Sequence, residues 1–517
     1  MQFRRNTVKG STARIWHRLR AEVLQTRLLL VVVTWGWLGH GLSAQEPIEL
    51  TLESAVSLAM RSSYRIRQLE LGIQRTRMYL RARQAQLKSS VSMDLIAPQF
   101  KGVSDYKWNS TLRRDEIVRQ NTRLWEMGIA VSQPVILFGN PTDGYLSLHS
   151  RFYRYDQSED DTNAKNYYNR SYLKLEQPLF RPNELKNDLE EAELDLERED
   201  LEFLHDQVDL IEDVADDYYD LFEIAYADLV HQNRIASLKQ LLEIVEEATG
   251  KDTAFSMEPV QVQVELENAH EELRSNQREY RVRMERLKRR LGMSSGELPH
   301  VMPSVSIARV KVDVEAAIRY GLSLAPRMRM EDIRIREQQI DLDNAKGRNS
   351  FHIDLEMTYG LEKEDEAFGE LWDRYDNSYS VSVNANVPIW DWGRRRALIN
   401  AESISVKRAE LSRTESEERI TSEIVNDIVD LQEYQRRALS TQANVDRAKR
   451  VTELSIGQYR QRRIPLQDVL RSIAVQFETE KGFLDAYMGF RRSALELATD
   501  TYYDFENQTP LLERFAP

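Results

Sequence analysis

Downstream of Pro182, apolar residues recur at alternating steps of three and four: Val208, Ile211, Ala215, Tyr218, Phe222, Ala225 and Leu229, then Leu238, Leu242 and Val245. That spacing predicts a helix with a coiled-coil seam. No proline falls between Asn183 and Thr249. The pattern therefore predicts one rod of roughly 100 Å at 1.5 Å per residue. A matching rod is predicted from about Arg394 to Tyr459. Return helices are predicted over Pro259–Leu291 and Leu466–Tyr502, and further helices over Leu52–Leu87 and Val314–Lys346.

Elsewhere the period changes to two. Phe351, Ile353, Leu355, Met357 and Tyr359 alternate with His352, Asp354, Glu356 and Thr358, and Tyr379, Val381, Val383, Ala385 and Val387 alternate with Ser380, Ser382, Asn384 and Asn386. One face is apolar and the other polar, which predicts strands over 351–360 and 379–388. Their length suits a tilted bilayer crossing. Phe351, Ile353, Leu355, Met357, Tyr379, Val381 and Val383 are the expected lipid-facing positions. Tyr359, Tyr375 and Tyr379 sit where an interfacial girdle belongs. Ser90–Ala97 and Tyr168–Gln177 form a second expected pair. Between them Trp125, Met127, Ile129 and Val131 alternate again, and Tyr145–Tyr155 is a weaker strand. So few strands cannot close a barrel, and an open edge in lipid leaves backbone groups unsatisfied. Several chains must share the barrel. Four strands from each of three chains make twelve; six make eighteen.

The plan is duplicated. Leu52-Glu53-Ser54-Ala55-Val56 resembles Val314-Glu315-Ala316-Ala317-Ile318 at an offset of 262 (314 − 52), and the same offset places Val91, Met93 and Leu95 on Ile353, Leu355 and Met357. Gln177-Pro178-Leu179-Phe180 resembles Val387-Pro388-Ile389-Trp390 at an offset of 210 (388 − 178), which carries Glu258 onto Asp468. The difference assigns an insertion of 52 residues to the first copy, inside 96–167. The first repeat spans 45–300, with its helical hairpin over 182–292. The second spans 301–505, with its hairpin over 393–502. A tail follows at 506–517.

Composition narrows the function. The chain has 517 residues but 20 Gly and 14 Pro, so turns are few and elements long. A net charge of −13 argues against nucleic acid as a partner. The absence of cysteine excludes disulfides, thiolate metal sites and a cysteine nucleophile. The eight histidines show no metal-ligand spacing, and Gly-rich phosphate loops and Gly-x-Ser-x-Gly are absent. No catalytic site, cofactor or metal is expected. Residues 1–44 read as a signal peptide: a basic region holding Arg4, Arg5 and Lys9, an apolar run Leu28–Leu38, and small residues ending at Ala44.

Taken together, these motifs resemble the TolC-like outer-membrane efflux proteins. They are the repeated Leu50-Thr51-Leu52-Glu53-Ser54-Ala55 start, the strand ends at Gln177-Pro178-Leu179-Phe180 and Val387-Pro388-Ile389-Trp390-Asp391-Trp392-Gly393-Arg394-Arg395, and the tip Tyr459…Asp468-Val469-Leu470. The resemblance implies a mainly α fold with a transmembrane β-barrel shared among three protomers above a coiled-coil α-helical barrel. It also implies a homotrimer in outer-membrane lipid that extends through the periplasm, working with a periplasmic adaptor (membrane fusion) protein and an inner-membrane pump. Tyr459 matches the family's constraining tyrosine and Asp468 its aperture aspartate, with Glu258 in the equivalent place of the first copy. Arg462 stands where the family often has glycine, and Arg471 where a second acid sometimes lies. Arg462, Arg463 and Arg471 are candidate partners for the two acids. The expected function is passive export of small molecules as part of a tripartite efflux system. An exit duct for type I protein secretion and a non-channel envelope scaffold are the alternatives.

Overall fold

The computed structural model describes residues 48–111, 113–159, 162–249, 257–293, 299–348 and 350–515. The expected signal peptide lies outside them. Two helices dominate: α3 (Glu184–Thr249, 66 residues) and α7 (Arg394–Arg460, 67 residues). Each is about 100 Å long. Antiparallel partners return beside them, α4 (Met257–Leu291) beside α3 and α8 (Leu466–Thr501) beside α7. Among the described residues no helix is long and apolar enough to cross a membrane.

Two shorter helix pairs precede the strands, α1 (Leu52–Ser62) with α2 (Tyr64–Gln86), and α5 (Val314–Ser323) with α6 (Arg327–Arg348). The pattern predicts one uninterrupted helix at each place, and the structure breaks both. Ser63 is extended (φ −66°, ψ 146°) and its hydroxyl accepts the N–H of Ile66, so it ends α1 and caps α2. Pro326 forces the second break, because the residue before a proline is disfavoured in the helical region.

The main core lies where α1, α3, α5, α7 and α8 converge, with Leu210, Ile211, Leu221 and Phe490 almost fully buried. The C-terminal segment belongs to this core. Thr509–Pro510 pairs with Tyr503–Asp504, Leu511 and Phe515 are buried, and Arg514 reaches both Asp504 and Glu53 at 2.6 Å.

A single antiparallel sheet of six strands caps the rods. In chain order these are β1 (Ser90–Asn109), β2 (Arg114–Leu137), β3 (Asn140–Glu159), β4 (Thr162–Leu179), β5 (His352–Asp365) and β6 (Asp376–Asn386). Their spatial order follows the chain, with β1 and β6 at the edges. The inserted segment therefore adds β2 and β3 within the sheet. Its strands reach 24 residues, or roughly 80 Å, well past what a bilayer crossing needs.

Sheet and rod are joined by specific caps. Asp143, in the turn region of β2–β3, accepts the N–H of Leu185 at 2.7 Å and that of Glu184, the first exposed donors of α3. Gly347, near the end of α6, lies so close to Pro182 that an added Cβ would sit 2.0 Å from its Cγ, so only glycine fits. Asp391 performs the capping role for α7, accepting from Gly393 and Arg395 at 2.9 and 2.8 Å.

One buried carboxyl stands out in the helical wall. Asp427 of α7 is buried, and its Oδ2 has no hydrogen-bond partner. Burial, then the charges of Asp500 and Glu496 on α8, hold its pKa well above the ordinary carboxylate value of 3.8. Arg327 of α6 engages Asp500 and Glu423 at 3.5 and 3.4 Å and leaves Asp427 without a cation. A raised folded-state pKa gives stability that is complete below the unfolded pKa and lost as pH rises through the folded one. Asp427→Asn should therefore be more stable than the wild type at alkaline pH, by about 1–3 kcal/mol, with the difference shrinking as pH falls and closing only near the unfolded carboxylate pKa of about 4. Thermal unfolding followed by circular dichroism at both pH values checks this.

Candidate membrane sheet and periplasmic latch

The register puts the apolar side chains of all six strands on one face. Tyr379, Tyr359, Leu173, Leu148, Val131 and Val91 form one continuous row. The neighbouring rows hold Val381, Met357, Leu175 and Leu146 on one side, and Leu361, Ile129 and Met93 on the other. The band is exposed: Val91 is 72 % and Tyr379 80 % accessible. A soluble sheet would cover such a face; a lipid-facing one leaves it bare.

Six of the seven expected lipid-facing residues fall on this face. Ile353 pairs with Ala385, Leu355 with Val383 and Met357 with Val381, and Tyr379 lies opposite Tyr359. Phe351 just precedes β5 and packs against Phe180, ring centres 5.6 Å apart. Aromatic residues mark both ends of the band. Trp390 and Trp392 lie exposed beside the rods, and Phe152, Tyr167 and Phe368 cluster at the far end. That is the interfacial preference of amphipathic rings.

The opposite face is polar and internally paired. Arg151 forks onto Glu126, Lys174 bridges Glu176 and Glu356, and Arg181 reaches Asp354. His149 stacks on Tyr172 at 4.8 Å, and Arg170 covers the same tyrosine. A wet interior accommodates such pairs, whereas hydrocarbon would not.

At the opposite end of the molecule the two helical hairpins pack tip to tip. Leu241, Ile244 and Val245 of α3, Val262 of α4, Ile456 of α7 and Leu466, Val469 and Ile473 of α8 form a separate small core. Tyr459 is buried at its edge, and its Oη donates to Oε2 of Glu258 at 2.9 Å. Burial and this acceptor push the Tyr459 pKa up to about 12, so the phenol remains a donor throughout the neutral range. Gln467 Nε2 donates to Gln261 Oε1 at 3.3 Å, a second polar link between the hairpins.

The arginines take other roles. Arg462 adopts φ +57°, its N–H donates to the Tyr459 carbonyl at 2.7 Å, and the Arg463 N–H donates to that of Gln458 at 3.0 Å. These two bonds are a Schellman helix end. The Arg462 guanidinium reaches the Ala248 carbonyl at 3.3 Å, near the C-terminus of α3. Among the described residues no ion pair within 4.0 Å joins Arg462, Arg463 or Arg471 to Glu258 or Asp468. Asp468, Arg463 and Arg471 are exposed, with Asp468 in the first turn of α8. Sequence reasoning brought Tyr459 and Glu258 into one region but paired Glu258 with arginine. A tyrosine hydroxyl carries no charge pattern that would have announced the observed partner.

Residues 325–472 match the family described as outer membrane efflux protein. That segment is an outer membrane efflux protein domain. It holds β5, β6, α7 and Tyr459, and the match agrees with the resemblance that the motifs carry. Solved channels share the fold over most of the chain. CusC matches with a TM-score of 0.64 at 14% identity, covering 88% of this chain and 92% of CusC. The Campylobacter jejuni outer-membrane channel CmeC matches at 0.63 and 13%, covering 90% and 89%. VceC from Vibrio cholerae matches at 0.61 and 13%, covering 87% and 95%. Among curated proteins no sequence matches. The mainly α architecture with its six-stranded sheet is thus the fold of these solved proteins.

Two changes probe the tip of this efflux-protein domain. Tyr459→Phe keeps the ring and removes one hydrogen bond to a carboxylate. It should destabilise the hairpin contact by about 1.5–3 kcal/mol, read as faster amide exchange in Tyr459–Asp468 than in the α7 midsection. At Arg462 the left-handed backbone favours glycine. Arg462→Gly should melt at or above the wild type and Arg462→Ala below it, the two differing by about 1 kcal/mol in thermal unfolding.

Proposed function

We propose that three copies of this chain close an eighteen-stranded barrel in the outer membrane, above a helical tunnel that carries small molecules from the periplasm to the exterior by passive conduction. The observation that carries this reading is a six-stranded sheet, apolar on one face and polar on the other, whose two edge strands are unpaired. Edge backbone groups in hydrocarbon cost several kcal/mol each, and joining β6 of one copy to β1 of the next removes every edge. A barrel of this strand number leaves an aqueous channel. In that assembly the rods line one tunnel, and three Tyr459–Glu258 pairs, with Asp468 beside them, gather near one axis at its periplasmic end.

Two further parts of the reading rest on the family. The hairpin tips serve as the docking surface for a periplasmic adaptor, and through it for an inner-membrane pump. Carboxylates grouped at a narrow mouth raise the local field and favour cations. Arg463 and Arg471, both exposed nearby, reduce that field. The chemistry of the channel needs no reacting group, only a wet passage and a gate.

The test is conductance in a planar bilayer. The purified protein should run as a trimer in mild detergent and give small, mostly closed pores. Combining Tyr459→Phe with Glu258→Gln should raise the open fraction by about tenfold or more, as the loss of a charge-assisted bond in each of three copies implies. No conductance from wild type or from the double variant would overturn the channel reading and leave a scaffold.

A further inference from the structure

Beyond the apolar band, at the end of the sheet far from the rods, the outward face changes character within one residue pair. In register, Trp125 stands beside Arg154 and Tyr167, and the next outward row holds Phe100, Arg123, Asp156 and Lys165. Each cation lies over a ring. Arg154 is 4.7 Å from the Trp125 centroid, Lys165 is 4.8 Å from that of Tyr167, and Arg123 is 5.6 Å from that of Phe100. Asp156 lies between Arg123 and Lys165 and is bound by Arg154 at 2.7 Å. This patch thus carries three cations and one carboxylate. Lys363 and Asp365, on the same face of β5, neutralise each other at 3.4 Å. A cleft of about 690 Å³ is lined by Phe100, Arg123, Asp156 and Lys165.

We propose that this cation-on-ring girdle binds the phosphorylated headgroups of outer-leaflet lipid. The inference rests on the barrel reading, because that reading sets this row at the outer membrane surface. Its argument is charge complementarity joined to continuity with the lipid-facing band. An aromatic ring holds its place at the interface, and a cation anchored on it reaches outward with little conformational freedom left to lose. Among the described residues the surplus positive charge has no protein counter-ion on this face. A phosphate seated in the cleft supplies it, with Arg123 able to hold two oxygens at once. Threefold repetition sets three such clefts around the barrel, each belonging to the β1–β4 half that the insertion enlarges.

The experiment uses the full chain reconstituted in phosphatidylcholine vesicles containing a trace of dansyl-labelled diphosphoryl lipid A. Energy transfer from protein tryptophans reports lipid enrichment, with dansyl phosphatidylcholine as the reference. Wild type should enrich the phosphorylated lipid over the reference. Each cation removed, among Arg123→Gln, Arg154→Gln and Lys165→Gln, should weaken enrichment by about fivefold. Arg123→Lys, which keeps the charge and loses the fork, should fall between wild type and Arg123→Gln. Resistance to carbonate extraction is measured in the same vesicles. Wild type that fails to insert overturns the barrel reading. Wild type that inserts without enrichment, a triple variant that inserts and still enriches, or inorganic phosphate that abolishes enrichment at low concentration overturns the lipid proposal; the last outcome points to a free-anion site.

Discussion

The structure depends on one constraint: a backbone group in hydrocarbon has no water to fall back on. The sheet presents an apolar face across six strands yet leaves the outer edges of β1 and β6 unpaired. Lipid exposure and an open edge are incompatible. The single-layer sheet, its lack of any covering helix and the length of the rods below it are all consistent with an element built to be completed by further copies. The insertion respects the same constraint. It enters as a hairpin, β2 followed directly by β3, so every new hydrogen-bonding edge is used at once and the two outer edges are unchanged. A lone inserted strand would have reversed the direction of everything after it.

The same economy governs the junction between sheet and rods. A helix begins with donors that nothing inside it can satisfy. Here the strand side provides the acceptors: Asp143 for α3, and Asp391, in the link after β6, for α7. The two caps fix where each rod starts relative to the sheet. Close approach of Gly347 to Pro182 then seats α6 against the foot of α3. The sheet at one end and the hairpin tips at the other are thereby held by one continuous frame.

The rods were the most legible part of the sequence. Alternating steps of three and four without a proline predict α3 and α7 to within about a residue at each end, because a long helix has only its stripe and its breakers to specify. The strands 351–360 and 379–388 were legible for the same reason at period two. Strand β1 was legible only to Ala97. At Pro98 two residues oppose one, the register shifts between Ile96 and Gln99, and the outward face moves from Val91, Met93 and Leu95 to Phe100 and Gly102. A bulge reverses the phase of the alternation, so a pattern search stops there although the strand runs on. The breaks at Ser63 and Pro326 were local signals outweighed by an uninterrupted apolar stripe. Whether β2 and β3 join the sheet is a question of pairing between distant strands, which composition does not encode.

At the latch, magnitudes matter more than identities. One tyrosine–carboxylate bond is worth about 1.5–3 kcal/mol. In the proposed trimer three of them amount to roughly 5–9 kcal/mol if they act together. Moving an equilibrium from almost closed to almost open takes about 5.5 kcal/mol. A partner that gripped the tips in the open state alone, with the affinity of an ordinary transient interface, could supply that difference. The Tyr459 ring meanwhile belongs to the small tip core that also holds Ile456 and Leu466, so breaking its hydroxyl bond need not unpack the hairpins. Arg462 adds a second restraint of another kind, holding a left-handed helix end while its guanidinium caps α3. A glycine there would give the turn without the cap. The arginine accepts backbone strain of about 1–2 kcal/mol and in return ties the end of one rod to the end of the other, so that opening at the tip has to move both hairpins together.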